Sequence, residues 1–234
     1  MVRAPQRLAL AGAVADEGLL HVLFLTVLSV RILRMPRIEQ AASSPAAASR
    51  VDEILRAACR VVVTGGASDL RIGTVAHEAG VSRTLVHYYF TTRQELLRAA
   101  FAYSENLRIA ALEAELATLA TGAERAERAL VRTIDPVLEE TPALWNEVWS
   151  SLRNDQELRP AVQERYRAWI ERVVRLLEEG RADGSVPRSV DPTGAGWRLA
   201  AAADGLDSIL YLGLLDRDTA RVLLASCVIR ELEL

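Results

Sequence analysis

From Val51 onward the apolar positions fall into a helical rhythm: Val51, Ile54, Leu55, Ala58, Val61 and Val62 recur at spacings that place them on one face. Ser49, with Asp52 three residues later, predicts a capping box at the start of this helix, Asp standing where Glu or Gln is usual. Gly65-Gly66 predicts its end. A second short helix is expected over about 72–79, then a tight Gly80-Val81 turn, then a third helix capped by Ser82 and ending near Phe90. Thr92-Arg93-Gln94-Glu95 is a full S/T-x-x-E signal for a long fourth helix. Further helices are expected over about 124–139, from Thr141-Pro142 (a cap followed by proline at the first helical position), and from Asn154-Asp155 to Gly180. Beyond the loop RADGSVPRSVDP the last two span about 192–214 and 216–232. No internal repeat and no strand is read, so the fold class is all-α.

Residues 1–49 follow a different pattern. Residues 19–30, LLHVLFLTVLSV, are apolar but too short to span a bilayer. Asp16 and Glu17 precede them and no clean small-residue cleavage site follows, against a signal peptide. Met35 then opens a polar stretch rich in Ala, Ser and Pro. The preferred reading starts translation at Met35 and treats residues 1–34 as upstream sequence read in frame; the alternative is a marginal amphipathic segment. Residues 1–47 are accordingly set apart as an N-terminal extension, disordered or mis-assigned.

Composition sharpens this picture. Of 234 residues, 50% are hydrophobic and 25% charged, the balance of a globular chain. The net charge is −3, but residues 50–100 carry 7 Arg against 5 acids, together with His77 and His87, whereas residues 101–234 carry 16 Arg against 23 acids. A mildly basic head on an acidic body fits a local nucleic-acid contact at one end. All 28 basic residues are Arg, which reads as the codon usage of a GC-rich genome. Cys59 and Cys227 each sit among apolar helical neighbours and read as buried thiols of a reducing, cytoplasmic protein, with no disulfide or metal role.

The segment GVSRTLVHYYF, residues 80–90, raises the functional question. Two short helices around a glycine turn, the second rich in polar side chains, make a helix-turn-helix over 71–90, and the second helix has the dimensions to enter a major groove. The longer stretch VAHEAGVSRTLVHYYFTTRQELL resembles the TetR family of transcriptional regulators, over about 48–108. That resemblance implies an N-terminal three-helix helix-turn-helix DNA-binding domain (48–108). A helical-bundle ligand-binding and dimerisation domain (109–234) would follow it.

The resemblance also assigns roles. Ser82 caps the recognition helix, and Arg83, Thr84 and Leu85 lie in its first turn, where side chains reach base edges. Arg can bond guanine with two hydrogen bonds, while Leu can only meet a thymine methyl. His87 stands where the family usually has Tyr, which puts the usual phosphate-hydroxyl contact in doubt. Tyr88 is a DNA contact, whereas Tyr89 and Phe90 read as core. Arg93, where a Lys is common, meets phosphate at a helix N-terminus. Arg71 stands where a Ser/Thr cap is frequent; it reaches a phosphate or is a plain surface residue.

In the body, LWNEVWSSLRNDQELRPAVQERYRAWIERVVRLLEEG and AAAADGLDSILYLGLL are similar to the BetI-like branch of the family. Trp145 and Trp149 share a helix face. With Phe101, Tyr103, Trp169 and Tyr211 they either line a pocket for a small apolar or amphipathic ligand or simply fill the core. An aromatic cage suits a quaternary ammonium, though the family's pockets diverge too widely to fix the ligand. The last two helices are apolar nearly all round, so every face must be covered: one side can meet its own body and the other a second subunit. Trp197, Leu206, Leu210, Leu224 and Val228 are the expected dimer interface, setting two heads on a palindromic operator in double-stranded DNA.

Enzyme signatures are missing from the sequence. There is no G-x-S-x-G and no Gly-rich phosphate loop, and all 3 His precede residue 90, which excludes a His-ligated di-iron site in the body. No cofactor or metal is expected. The function expected is a ligand-released repressor; the alternative is a helical adaptor without sequence-specific DNA binding.

Overall fold

The computed structural model describes residues 37–38, 44–136 and 140–233. The segment 19–30 and the start at Met35 lie outside the described residues. Among the described residues there are nine α-helices and no strand: α1 (Pro45–Gly65), α2 (Ile72–Glu78), α3 (Arg83–Tyr89), α4 (Arg93–Leu116), α5 (Gly122–Ile134), α6 (Glu140–Ser151), α7 (Leu158–Asp183), α8 (Pro192–Tyr211) and α9 (Arg217–Leu232). The chain divides into two compact units, one of Met1–Ala111 with Leu138–Ala161, the other of Leu112–Val137 with Val162–Leu234. Helix α6 thus belongs with the head, whereas the boundary read at 108 assigns it to the body.

In the first unit α1 packs on α2, on a 3₁₀ turn (Ala67–Asp69) and on α6. Its buried face carries Val51, Ile54, Leu55, Ala58, Val61 and Val62, the positions that the periodicity selects. Its start differs from the expected one. Ser44 is the N-cap and Pro45 the first helical residue, so Ser49 lies inside the helix. The proposed capping box does not form: proline, with its preset φ, already opens the helix one turn earlier. Asp52 is buried and pairs instead with Arg56 at 2.8 Å. Nor is the extension up to residue 47 wholly loose, since α1 begins at Pro45 and Ile38 is buried.

Gly66, at φ 74°, ends α1 as expected. The Thr92–Glu95 box also forms. The Glu95 N–H donates to Thr92 Oγ1 at 3.1 Å, and the Thr91 and Thr92 N–H groups donate to Glu95 at 2.6 and 3.3 Å. Thr141, expected to open a helix, lies within α6, buried, its hydroxyl 3.5 Å from that of Ser104. A buried hydroxyl takes such a partner because water cannot reach it.

The second unit is built on Leu112, Leu116, Leu130, Ile134, Val173, Leu177, Leu199, Leu224 and Val228. A capping box of Thr121 and Glu124 starts α5, which ends at Ile134 rather than near 139. Pro136 explains the early end, because the residue before a proline is pushed out of the α region. Gly180 does not stop α7. The helix runs on to Asp183, and Gly184, at φ 85°, follows its end. Gly180 serves close approach instead: a Cβ added at Gly122 would lie only 2.1 Å from the Gly180 nitrogen. Asp183 completes this crossing by accepting from the Gly122 N–H at 2.7 Å.

Cys59 is buried, its thiol donating to the Ala100 carbonyl at 3.8 Å. Cys227 is exposed, contrary to expectation, because α9 turns that face away from its own core.

Candidate nucleic-acid interface

The Ser82 side chain accepts from the Leu85 N–H at 3.1 Å, closing the first turn of α3. Val86 and Phe90 face inward and are fully buried, which fixes the rotation of the helix. Arg83, Thr84 and His87 are therefore exposed, as is Tyr88 at 54%. Leu85 and Tyr89 are half-buried at the edge of this face. Tyr88 and Tyr89 meet edge to face, centroids 5.0 Å apart. The turn before α3 holds because Gly80 takes φ 66° and the Val81 N–H donates back to the Ala76 carbonyl at 3.0 Å.

The arginines are arranged less uniformly. The Arg83 guanidinium lies over α2, where a Cβ added at Gly73 would stand 3.1 Å from Nε. Arg71 is exposed, its Nε donating to the Ser68 carbonyl at 3.3 Å. Arg93, at the start of α4, pairs with Glu147 of α6 at 2.5 Å. Sequence reading missed Glu147, since no local pattern links positions 54 residues apart.

Of the six candidate pocket residues, three come together in the first unit. Phe101 meets Trp145 edge-on at 4.8 Å, and Trp145 lies 5.7 Å from Trp149, which is half exposed. The Trp145 Nε1–H donates to Glu105 at 3.0 Å, and that buried carboxylate also accepts from Arg108 at 3.0 and 2.9 Å. Tyr103 points elsewhere: its hydroxyl accepts from Arg56 of α1 at 3.1 Å. Burial, then the Asp52 charge, push that phenol well above its ordinary range. In the second unit Trp169 packs partly buried against the core and Tyr211 is exposed at the end of α8.

The expected interface residues separate into two sets. Trp197 is exposed, and Leu206 and Leu210 are half-buried. Leu224 and Val228 point into their own core, a correction to their assignment to the outer face. On and next to α8 and α9 the exposed large apolar side chains are Trp197, Tyr211, Leu212, Leu214, Val222, Leu223 and Ile229. No helix among the described residues is long and apolar enough to cross a membrane.

A polar recognition helix on a helix-turn-helix, carried by an all-helical body, defines a DNA-binding transcriptional regulator. The family model for bacterial regulatory proteins of the TetR family matches residues 54–100, and that for the C-terminal domain of BetI-type transcriptional repressors matches 122–233. The chain belongs to the TetR family. No curated protein sequence matches it significantly. A transcriptional regulator from Saccharomonospora viridis, solved in complex with choline, is 26% identical with a TM-score of 0.68, covering 76% of this chain and 94% of that one. A TetR-family regulator from Rhodococcus sp. is 27% identical with a TM-score of 0.66, covering 79% and 99%. A TetR regulator from Haloarcula marismortui shares the fold at 21% identity, with a TM-score of 0.69, covering 79% and 98%.

Proposed function

We propose that the protein is a repressor that binds a palindromic operator as a homodimer and leaves it when a small amphipathic ligand binds. The observation that carries this reading is the outward face of α3, with Arg83, Thr84, His87 and Tyr88 exposed over a buried Val86 and Phe90. Side chains so placed reach base edges while the buried pair holds the helix rigid. Selecting sites from random duplexes and then measuring mobility shifts tests it. A two-fold symmetric consensus is expected; no consensus would favour the adaptor alternative.

The two arginine roles separate in the same assay. Arg83→Ala should relax preference at one base position, costing about 1–3 kcal/mol there. Arg93→Ala should weaken all duplexes alike and lower the salt slope by about 1. Glu147→Gln removes the carboxylate that Arg93 holds in the free protein, so it should strengthen binding several-fold. If Arg93→Ala instead alters preference at one base, the two roles are exchanged.

For the ligand, we infer an amphipathic cation. Choline occupies the Saccharomonospora viridis relative, and in this chain Phe101, Trp145 and Trp149 form an aromatic cluster whose Trp149 end is half exposed. Aromatic faces attract quaternary ammonium groups. Choline titrated into the protein should quench tryptophan fluorescence and raise the melting temperature with concentration. Unchanged melting up to millimolar choline would remove this ligand class.

A further inference from the structure

The residues ahead of the first helix lend a side chain to the reading head. Arg37 Nη1 donates to the Tyr88 carbonyl at 2.9 Å and lies 3.5 Å from Thr91 Oγ1. The same guanidinium lies over the Tyr88 ring, 5.8 Å from its centroid. Beside it, Ile38 is buried, at 3% exposure, which anchors the segment.

We propose that Arg37 is a positioning residue for DNA reading, holding the last turn of α3 and the Tyr88 ring in the orientation that meets the duplex. This rests on α3 being the recognition helix. Its seven residues are too few to be stable alone, and its last carbonyls have no partner within the helix. The Tyr88 carbonyl is one of these, and a cation there also meets the negative end of the helix dipole. Because a guanidinium is planar, it can donate from its edge to the carbonyl while its face covers the ring. Tyr88 is half exposed on the reading face, so without this cover its ring keeps only the edge contact with Tyr89 and changes rotamer more freely. A chain beginning at Met35 keeps both Arg37 and Ile38.

Arg37→Ala in the full chain, with Ile38 intact, tests the proposal in two ways. Without DNA, amide hydrogen exchange over 86–91 should quicken several-fold while exchange in α1 and α4 stays as in the wild type. Unchanged exchange over 86–91 would overturn the proposal whether or not the protein binds an operator. With a selected operator, Arg37→Ala should weaken binding about tenfold. In a Tyr88→Ala background the same change should matter much less. Two independent, multiplying losses would overturn the proposal and make Arg37 a separate phosphate contact.

Discussion

In the homodimer proposed above, Val222→Arg should leave each chain folded, yet separate the two copies and abolish tight operator binding. Val222 is 69% exposed on α9, with Leu223 and Ile229 exposed on the same helix, Trp197 exposed on α8 and Leu212 exposed just past its end. A group of large apolar side chains this exposed marks an interaction surface. Across a two-fold interface each substitution occurs twice, so two unpaired charges would be buried together. A single head then binds a half-site alone, and the lost bivalency is worth about 10²–10⁴ in affinity. Sedimentation and mobility shift would read the two effects. The melting temperature should fall and cease to depend on protein concentration, because association no longer stabilises the folded chain. The fully buried Leu224 makes the contrast: Leu224→Ala should cost about 2–5 kcal/mol and leave the dimer in place. A Val222→Arg protein that still sediments as a dimer would place the interface elsewhere.

Arg98→Met should destabilise the chain by about 3–5 kcal/mol, because it strands a buried carboxylate. Arg98 grips Asp155 with two bonds, Nε to Oδ2 at 2.8 Å and Nη2 to Oδ1 at 2.5 Å, and takes Glu157 at 2.5 Å with Nη1. Both members of the Arg98–Asp155 pair are buried. Burial pulls the guanidinium down, and the bonds to Asp155 and Glu157 outweigh it, holding Arg98 firmly charged. Without Arg98 the Asp155 side chain keeps the Leu158 N–H, at 3.2 Å, and loses its cation. The double variant Arg98→Met/Asp155→Leu should recover much of the loss, since replacing a whole buried pair by apolar groups is often neutral. Urea unfolding of the two variants decides it: a single variant within 1 kcal/mol of wild type would show that Asp155 finds water or another partner.

The reading head was largely legible because its signals are local. Ser82, the Thr92–Glu95 box and Gly66 each act within four residues, and a sequence displays such spacings directly. The errors share a physical origin. Ser49, Thr141 and Gly180 are residues that cap or end helices elsewhere, but here packing uses them inside helices. Nor could periodicity sort α8 and α9, since a helix apolar on every side does not say which side is covered. Leu224 and Val222 are alike in sequence and opposite in burial. Arg37 and Glu147 reach partners about fifty residues away, and such distance leaves no trace in spacing.

The contrast between the two thiols has a practical consequence. Cys59 is enclosed between α1 and α4, while Cys227 faces outward on α9, and the chain has 2 cysteines in all. A maleimide dye should therefore spare Cys59 and react at Cys227. Pairing through the α9 face that carries Leu223, one turn before Cys227, should slow that reaction, so that the labelling rate reports whether two copies are joined.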